Sequence, residues 1–265
     1  MAGIEKTIHI IPLGYEIDRA VIPFETTKAD KIYLLVYDKN DESSEPGEKN
    51  TSYYLKSVRK RLEEKKIDVV CQYIDIFNLL ELMKKISNII VEEKGNRVFI
   101  NMSAAGKMSS VAATLVGMAH DVQVYYVHAD DYSDDIESRK NHGLSVCTSG
   151  DTTILSNFKF MMPDPIGMQI LLHFCEKNLT KMRSKQILDL LQEKKAEGFE
   201  DVFDKISDIT LKRSIQSRQI MKLNKTILTR LENGGFITRK KDGRNVMITI
   251  TESGKYAVHI SGLLS

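Results

Sequence analysis

The sequence predicts an α/β N-terminal half built on a parallel sheet, joined to a smaller C-terminal half of helices and one β-hairpin. Three observations carry this. Five β-rich apolar runs alternate with helical patterns as far as residue 128. A Pro163-Asp164-Pro165 step then punctuates the chain. Beyond it, helical stripes end in two alternating runs joined by Asp242-Gly243, a strong hairpin signal. At 265 residues, with 42% apolar and 28% charged residues, the chain suits two ordinary domains, placed at residues 1–160 and 161–265.

In chain order, Thr7–Pro12 (TIHIIP) reads as the first strand, and a helical pattern starts near Asp18. Lys31–Tyr37 (KIYLLVY) is a second, fully buried strand, and the acidic Asp38–Asn50 stretch a loop. Thr51–Lys66 reads as a helix with Leu55, Val58 and Leu62 on one face. Asp68–Ile74 is a third strand, and Phe77–Lys94 a helix with Leu79, Met83, Ile86 and Ile90 at helical spacing, stopped by Gly95. Arg97–Asn101 is a fourth strand. The helix from about Met108 to His120 is expected to bury Met108, Val111, Leu115 and Met118, and Val122–His128 is a fifth strand. Strands alternating with helices of this length indicate βαβ units and a parallel sheet covered on both faces.

Two loops of that sheet invite a ligand, because open α/β sheets bind ligands beyond the carboxyl ends of their strands. Gly14-Tyr15-Glu16 leaves the first strand, and Asn101-Met102-Ser103-Ala104-Ala105-Gly106-Lys107 leaves the fourth. Asn101 and Ser103 offer side-chain hydrogen bonds. Ala104, Ala105 and Gly106 permit close approach to the backbone. The amides that follow open a helix, and Lys107 adds a cation; together these suit a phosphate. The same small residues also suit tight packing of helix on strand, and the spacing leaves both readings open. Neither GxGxxG nor GxxxxGK[ST] is present, which argues against a dinucleotide fold and a P-loop NTPase.

In the C-terminal half, Ile166–Glu176 and Ser184–Glu193 read as helices. Ile220, Leu223, Ile227 and Leu231 form an apolar stripe, with Arg218, Lys222, Lys225 and Thr229 opposite. Gly234-Gly235 stops that helix, and Phe236–Lys241 and Asn245–Thr251 alternate as strands. Arg239, Lys240, Lys241 and Arg244 cluster at the hairpin tip, and a last helix holds Tyr256, Val258 and Ile260. This order resembles the C-terminal part of winged helix-turn-helix regulators of the MarR and ArsR type. That resemblance implies a recognition helix carrying Arg218, Lys222, Lys225 and Thr229, and a wing whose Arg239, Lys240, Lys241 and Arg244 track phosphates.

Charge agrees with the division. Residues 1–160 hold 20 Lys+Arg against 24 Asp+Glu, whereas Thr210 onward holds 11 against 3. The total of +2 averages an acidic front and a basic end, and such an excess is the footprint of polyanion binding. A winged helix that contacts protein is the competing reading. Three scattered cysteines, with no CxxC and no HExxH, argue against a disulfide scaffold, a zinc finger and a zincin site; no cofactor or metal is expected. The longest nearly apolar run, Val111–Ala119, is too short for a membrane span, and the start of the chain does not read as a signal peptide, so a cytoplasmic protein is expected.

Taken together, the front motifs Gly14-Tyr15-Glu16-x-Asp18-Arg19 and Asn101-x-Ser103-x-x-Gly106-Lys107 resemble those of CARF domains, the CRISPR-associated Rossmann-like sensors of cyclic oligoadenylates. A CARF domain followed by a winged helix resembles the archaeal CARF–winged-helix transcription regulators. The usual family pattern reads roughly Asn-x-Ser/Thr-Gly-Gly-Thr-Lys; here Ala104-Ala105-Gly106 replaces Gly-Gly-Thr. The resemblance implies a homodimer with the ligand on its two-fold axis and duplex DNA as partner. Some CARF domains cleave the cyclic oligoadenylate they bind, so a ring nuclease is one alternative, with Lys107 for charge, Ser103 to position the phosphate and Glu16 as the candidate base; a regulator of ordinary metabolism that senses another nucleotide or no ligand is the other. No catalytic residue is assigned.

Overall fold

A computed structural model describes residues 4–37, 51–158, 161–200, 209–242 and 245–264. The chain divides into two compact units, Met1–Phe160 and Met161–Ser265.

The first unit is built on a six-stranded sheet. Its strands are β1 (Thr7–Leu13), β2 (Lys31–Tyr37), β3 (Asp68–Ile74), β4 (Arg97–Asn101), β5 (Gln123–Val127) and, after a separate antiparallel pair, β6 (Asp131–Tyr132) and β7 (Ser145–Val146), the last strand β8 (Thr152–Ile154). The order is β3-β2-β1-β4-β5-β8, parallel except for β8, which runs antiparallel to β5. Ile10 of β1 lies opposite Tyr33 of β2 and Ile100 of β4. The β1 core is nearly continuous: Ile8, Ile10, Ile11 and Leu13 are all buried, as a central parallel strand covered on both faces requires. The flanking helices are α1 (Asp18–Val21, continued by a 3₁₀ turn to Glu25), α2 (Thr51–Glu64), α3 (Leu79–Glu92), α4 (Lys107–His120) and α5 (Ile136–His142).

Helix α4 presents a different face from the one expected. Met108 and Val111 are exposed, and Leu115 and Met118 only partly covered, while Ser109, Ala112, Ala113, Val116 and Gly117 are buried. Small residues let the helix sit close on the sheet. A Cβ at Gly117 would come within 2.1 Å of the Val124 side chain, so the larger side chains turn outward.

In the second unit, α6 (Pro165–Glu176) starts with Asp164 accepting the Gly167 amide at 2.8 Å. Strand β9 (Lys181–Arg183), not anticipated from sequence, precedes α7 (Ser184–Glu193). Helix α8 (Ile209–Lys222), a π-helical turn (Leu223–Ile227) and α9 (Leu228–Asn233) follow one another without a break. Strands β10 (Ile237–Asp242) and β11 (Asn245–Ile250) form the hairpin, with α10 (Glu252–His259) last. The sheet order is β10-β11-β9, all antiparallel. Phe174, Ile187, Leu188, Leu191, Phe199, Leu223, Leu228, Ile248 and Val258 form one core. Helices packed about one core, beside a three-stranded antiparallel sheet that ends in the β10–β11 hairpin, make a winged helix domain.

Among the described residues, no helix is long and apolar enough to cross a membrane, and no His/Cys/Asp/Glu group is placed to hold a metal.

Candidate functional site

β1 is paired with β2 on one side and β4 on the other, so the loops leaving β1 and β4 diverge from the point where strand order reverses. That crevice is where such sheets take ligands. The two loops are joined there: the Gly14 amide donates to the Ala104 carbonyl at 2.8 Å.

Asn101 is completely buried and shapes the second loop. Its Nδ2 donates to the Arg19 carbonyl at 2.9 Å, and its Oδ1 accepts the Ser103 amide at 2.9 Å and the Ser103 hydroxyl at 2.6 Å. Ser103 Oγ in turn accepts the Val127 amide at 3.1 Å. The polar groups of these two residues hold the loop instead of facing the crevice. Ala104 is buried in the core beside Ile11 and Leu13, so its methyl group points away from the crevice too. Arg19 braces the same loop, donating to the Ser103 carbonyl at 3.2 Å and the Tyr126 hydroxyl at 3.1 Å.

Glu16 departs from the expectation of a ligand contact. It is buried, and its carboxylate accepts the Ser145 amide at 3.1 Å and the Ser145 hydroxyl at 2.8 Å. Burial raises its pKa above the usual carboxylate value, against the opposing pull of Ser145 and Arg19. Asp18, also buried, accepts the Cys147 amide at 3.0 Å and faces His142 Nδ1 at 2.8 Å. Both carboxylates therefore fasten the α5–β7 segment beside the first loop. Gly143 sits where that segment crosses: at φ +88°, a Cβ there would lie 2.5 Å from the Ile17 nitrogen. Tyr15 is half-buried, edge-on to Tyr54 with ring centroids 5.4 Å apart.

What opens to solvent is the start of α4. Gly106 and Lys107 are exposed, Ala105 is half-buried, and the space about Gly106 is empty to 4 Å around a notional Cβ. Gly106 is the N-cap residue and supplies no side-chain cap, whereas α3, α5, α6 and α10 are capped by Asn78, Asp135, Asp164 and Thr251. The first α4 amides thus point at open space beside a lysine, an arrangement that favours an anion.

In the winged helix domain, Arg218, Lys222 and Lys225 are exposed on the long helix, and Lys240 and Lys241 on the wing. Lys222 Nζ also lies 4.9 Å from the Phe199 ring centroid. Arg239 and Thr229 differ from the expectation. Arg239 donates through its amide (3.1 Å) and Nε (2.8 Å) to Glu232, through Nη1 to the Asn224 carbonyl (2.8 Å), and through Nη2 to Thr229 Oγ1 (3.2 Å). Thr229 Oγ1 itself donates to the Asn224 carbonyl at 2.9 Å. In the π turn the Leu228 amide goes to Leu223, one residue further back than in an α-helix, and the Asn224 carbonyl receives these side chains. Arg239 is thus a brace between wing and helix. Arg244 lies outside the described residues.

Residues 7–132 match the family described as "HFX_2341_N:-like, N-terminal", and residues 167–262 match the DUF6293 C-terminal winged helix domain. An uncharacterized protein of Methanocaldococcus jannaschii, MJ1513, is 25% identical over 146 residues, which is 52% of this chain and 42% of that protein. Among solved structures, Enterococcus italicus Csm6 bound to cyclic hexa-2′-fluoro-hexa-dAMP gives a TM-score of 0.42 at 9% identity, over 86% of this chain and 58% of that one. Can2 from Sulfobacillus thermosulfidooxidans in complex with cyclic tetra-adenylate gives 0.38 at 13% identity, over 97% and 64%. The chain spans less than two thirds of the length of each of these proteins.

Proposed function

We propose that this chain, which joins an HFX_2341_N-like N-terminal domain to a DUF6293 winged helix domain, is a ligand-responsive DNA-binding transcription regulator. Its N-terminal domain takes a phosphate-rich nucleotide, with a cyclic oligoadenylate the first candidate on the strength of the motif resemblance. The observation that carries this reading is the uncapped start of α4, open beside Lys107 at the crevice of the sheet. Free amides at a helix start and a fixed cation favour a phosphate. Asn101, Ser103 and Arg19 act from behind by holding the loop in shape. The basic winged helix domain supplies the output, through Arg218, Lys222 and Lys225 on the helix and Lys240 and Lys241 on the wing.

Sensing is favoured over cleavage because Glu16, the candidate base at the first loop, is committed to Ser145. The acting form is a homodimer. Met108 and Val111 lie exposed just after Lys107, and a second copy covering this face would bring two helix starts and two lysines together about a two-fold axis. That symmetry suits both a cyclic ligand and a palindromic operator.

The test is a gel-shift series with the whole chain on duplexes selected from a random pool, with and without cyclic tetra-adenylate. A change in operator affinity of about tenfold supports regulation by this ligand. No duplex selected, or the same affinity with and without ligand, counts against it. Conversion of the ligand to linear products, stopped by Lys107→Ala more than binding is, would put the ring nuclease in its place.

A further inference from the structure

A second cavity lies in the N-terminal domain away from the α4 start, against the sheet near the beginnings of β1 and β4. Its volume is about 370 Å³, and His9, Phe99, Tyr125, Ile154, Lys28 and Arg97 are among its walls. That size lies at the small end of ligand pockets.

His9 is the one polar side chain among the buried β1 positions, and an imidazole is costly to bury without partners. Its ring is fixed from two sides: stacked on Phe99 with centroids 5.0 Å apart, and edge-on to Phe24 at 4.9 Å. Its Nδ1 lies 3.1 Å from the Tyr125 hydroxyl.

With Nδ1 taken up by the Tyr125 hydroxyl, Nε2 is the ring nitrogen left for a ligand. Burial lowers the His9 pKa to about 4, so near neutral pH the ring is uncharged. Among the described residues, no hydrogen-bond partner of Nε2 is found. Lys28 and Arg97 are both exposed cations on the cavity wall, and the Arg97 guanidinium lies 5.6 Å from the Phe99 ring centroid.

A cavity with aromatic walls, one neutral imidazole and two cations matches a ligand that is flat, apolar over most of its surface and negative at one end. We propose that this cavity binds a small planar organic anion, an aromatic carboxylate of single-ring size. Its ring lies against Phe99 and Ile154, and its carboxylate accepts from His9 Nε2–H and faces Lys28 and Arg97.

Benzoate is the probe, titrated calorimetrically into the whole chain beside benzyl alcohol, which keeps the ring and lacks the charge. Saturable benzoate binding is expected, with benzyl alcohol about tenfold weaker or worse. His9→Phe keeps a flat ring and removes the donor, and should weaken benzoate by about tenfold. The double variant Lys28→Ala/Arg97→Ala alters only exposed side chains, so it tests the site even if His9→Phe disturbs folding. It should weaken benzoate and remove the dependence of binding on ionic strength. No saturable binding at millimolar benzoate, equal binding of benzyl alcohol, or wild-type affinity in the double variant would overturn the proposal. None of these readouts involves nucleotide or DNA.

Discussion

The Glu16 carboxylate receives both the amide and the hydroxyl of Ser145, 129 positions away, and so pins the β7 segment against the loop that leaves β1. Glu16→Ala leaves a buried backbone amide without its partner and should cost about 1–3 kcal/mol of N-terminal domain stability. The pH effect has a definite sign. Because burial raises the folded-state pKa of Glu16, its contribution is fully present below the unfolded value of 4.5 and declines as pH rises through the raised value. Glu16→Gln should flatten that part of the profile. Urea unfolding of wild type and both variants across this range checks it; a Gln variant with the wild-type slope would contradict it.

Gly106 offers a substitution that separates stability from binding. Its φ of −70° and ψ of 169° suit an ordinary N-cap residue, and nothing lies within 4 Å of an added Cβ. Gly106→Asp should cap α4 and raise stability by about 0.5–1 kcal/mol. The same carboxylate would occupy the anion position and should abolish nucleotide binding. Thermal unfolding and ligand titration on one preparation read both; unchanged binding would place the ligand elsewhere.

Arg239 and its lysine neighbours should behave differently. Arg239→Ala breaks the wing–helix brace and should lower C-terminal domain stability by about 1–2 kcal/mol and weaken DNA binding, with the salt slope unchanged. Lys240→Ala/Lys241→Ala should leave stability within about 0.5 kcal/mol and reduce the salt slope by about 2. Binding isotherms at several salt concentrations separate them. A reduced slope for Arg239→Ala would restore it as a phosphate contact.

Changes at Arg218, Lys222 and Lys225 should alter which duplex sequences are selected, because these residues lie on the proposed recognition helix. Selection from a random pool by each variant is the check. The same uniform weakening as for the wing lysines would undo the assignment.

The parallel strands were legible because a central strand of such a sheet must be apolar on both faces, and KIYLLVY has no other reading as short and as β-rich. The hairpin was legible in Asp242-Gly243. The α5–β7 segment was not, because its anchors, Glu16 and Asp18, lie far away in sequence. The buried face of α4 was missed because Ala112, Ala113 and Gly117, not the larger Met108 and Val111, make the close contact. At the site, the Gly14 and Lys107 loops were visible as a pair. The inward roles of Asn101, Ser103 and Glu16 were not, since a polar residue in a loop carries no mark of which way it points. Arg239 was hidden for a similar reason: a count of basic residues treats every cation at the wing alike, and only the fold sets this one against Glu232 and the Asn224 carbonyl.

The central claim is that the open start of α4 binds a cyclic oligoadenylate with the help of Lys107. Isothermal titration of cyclic tetra-adenylate and its linear counterpart into wild type and Lys107→Ala measures this directly. The account predicts saturable binding of the cyclic ligand by wild type and a loss of about tenfold or more in the variant, with the thermal unfolding of the two proteins alike. No binding of either oligoadenylate at high micromolar concentration, or equal affinity of wild type and Lys107→Ala, would contradict it.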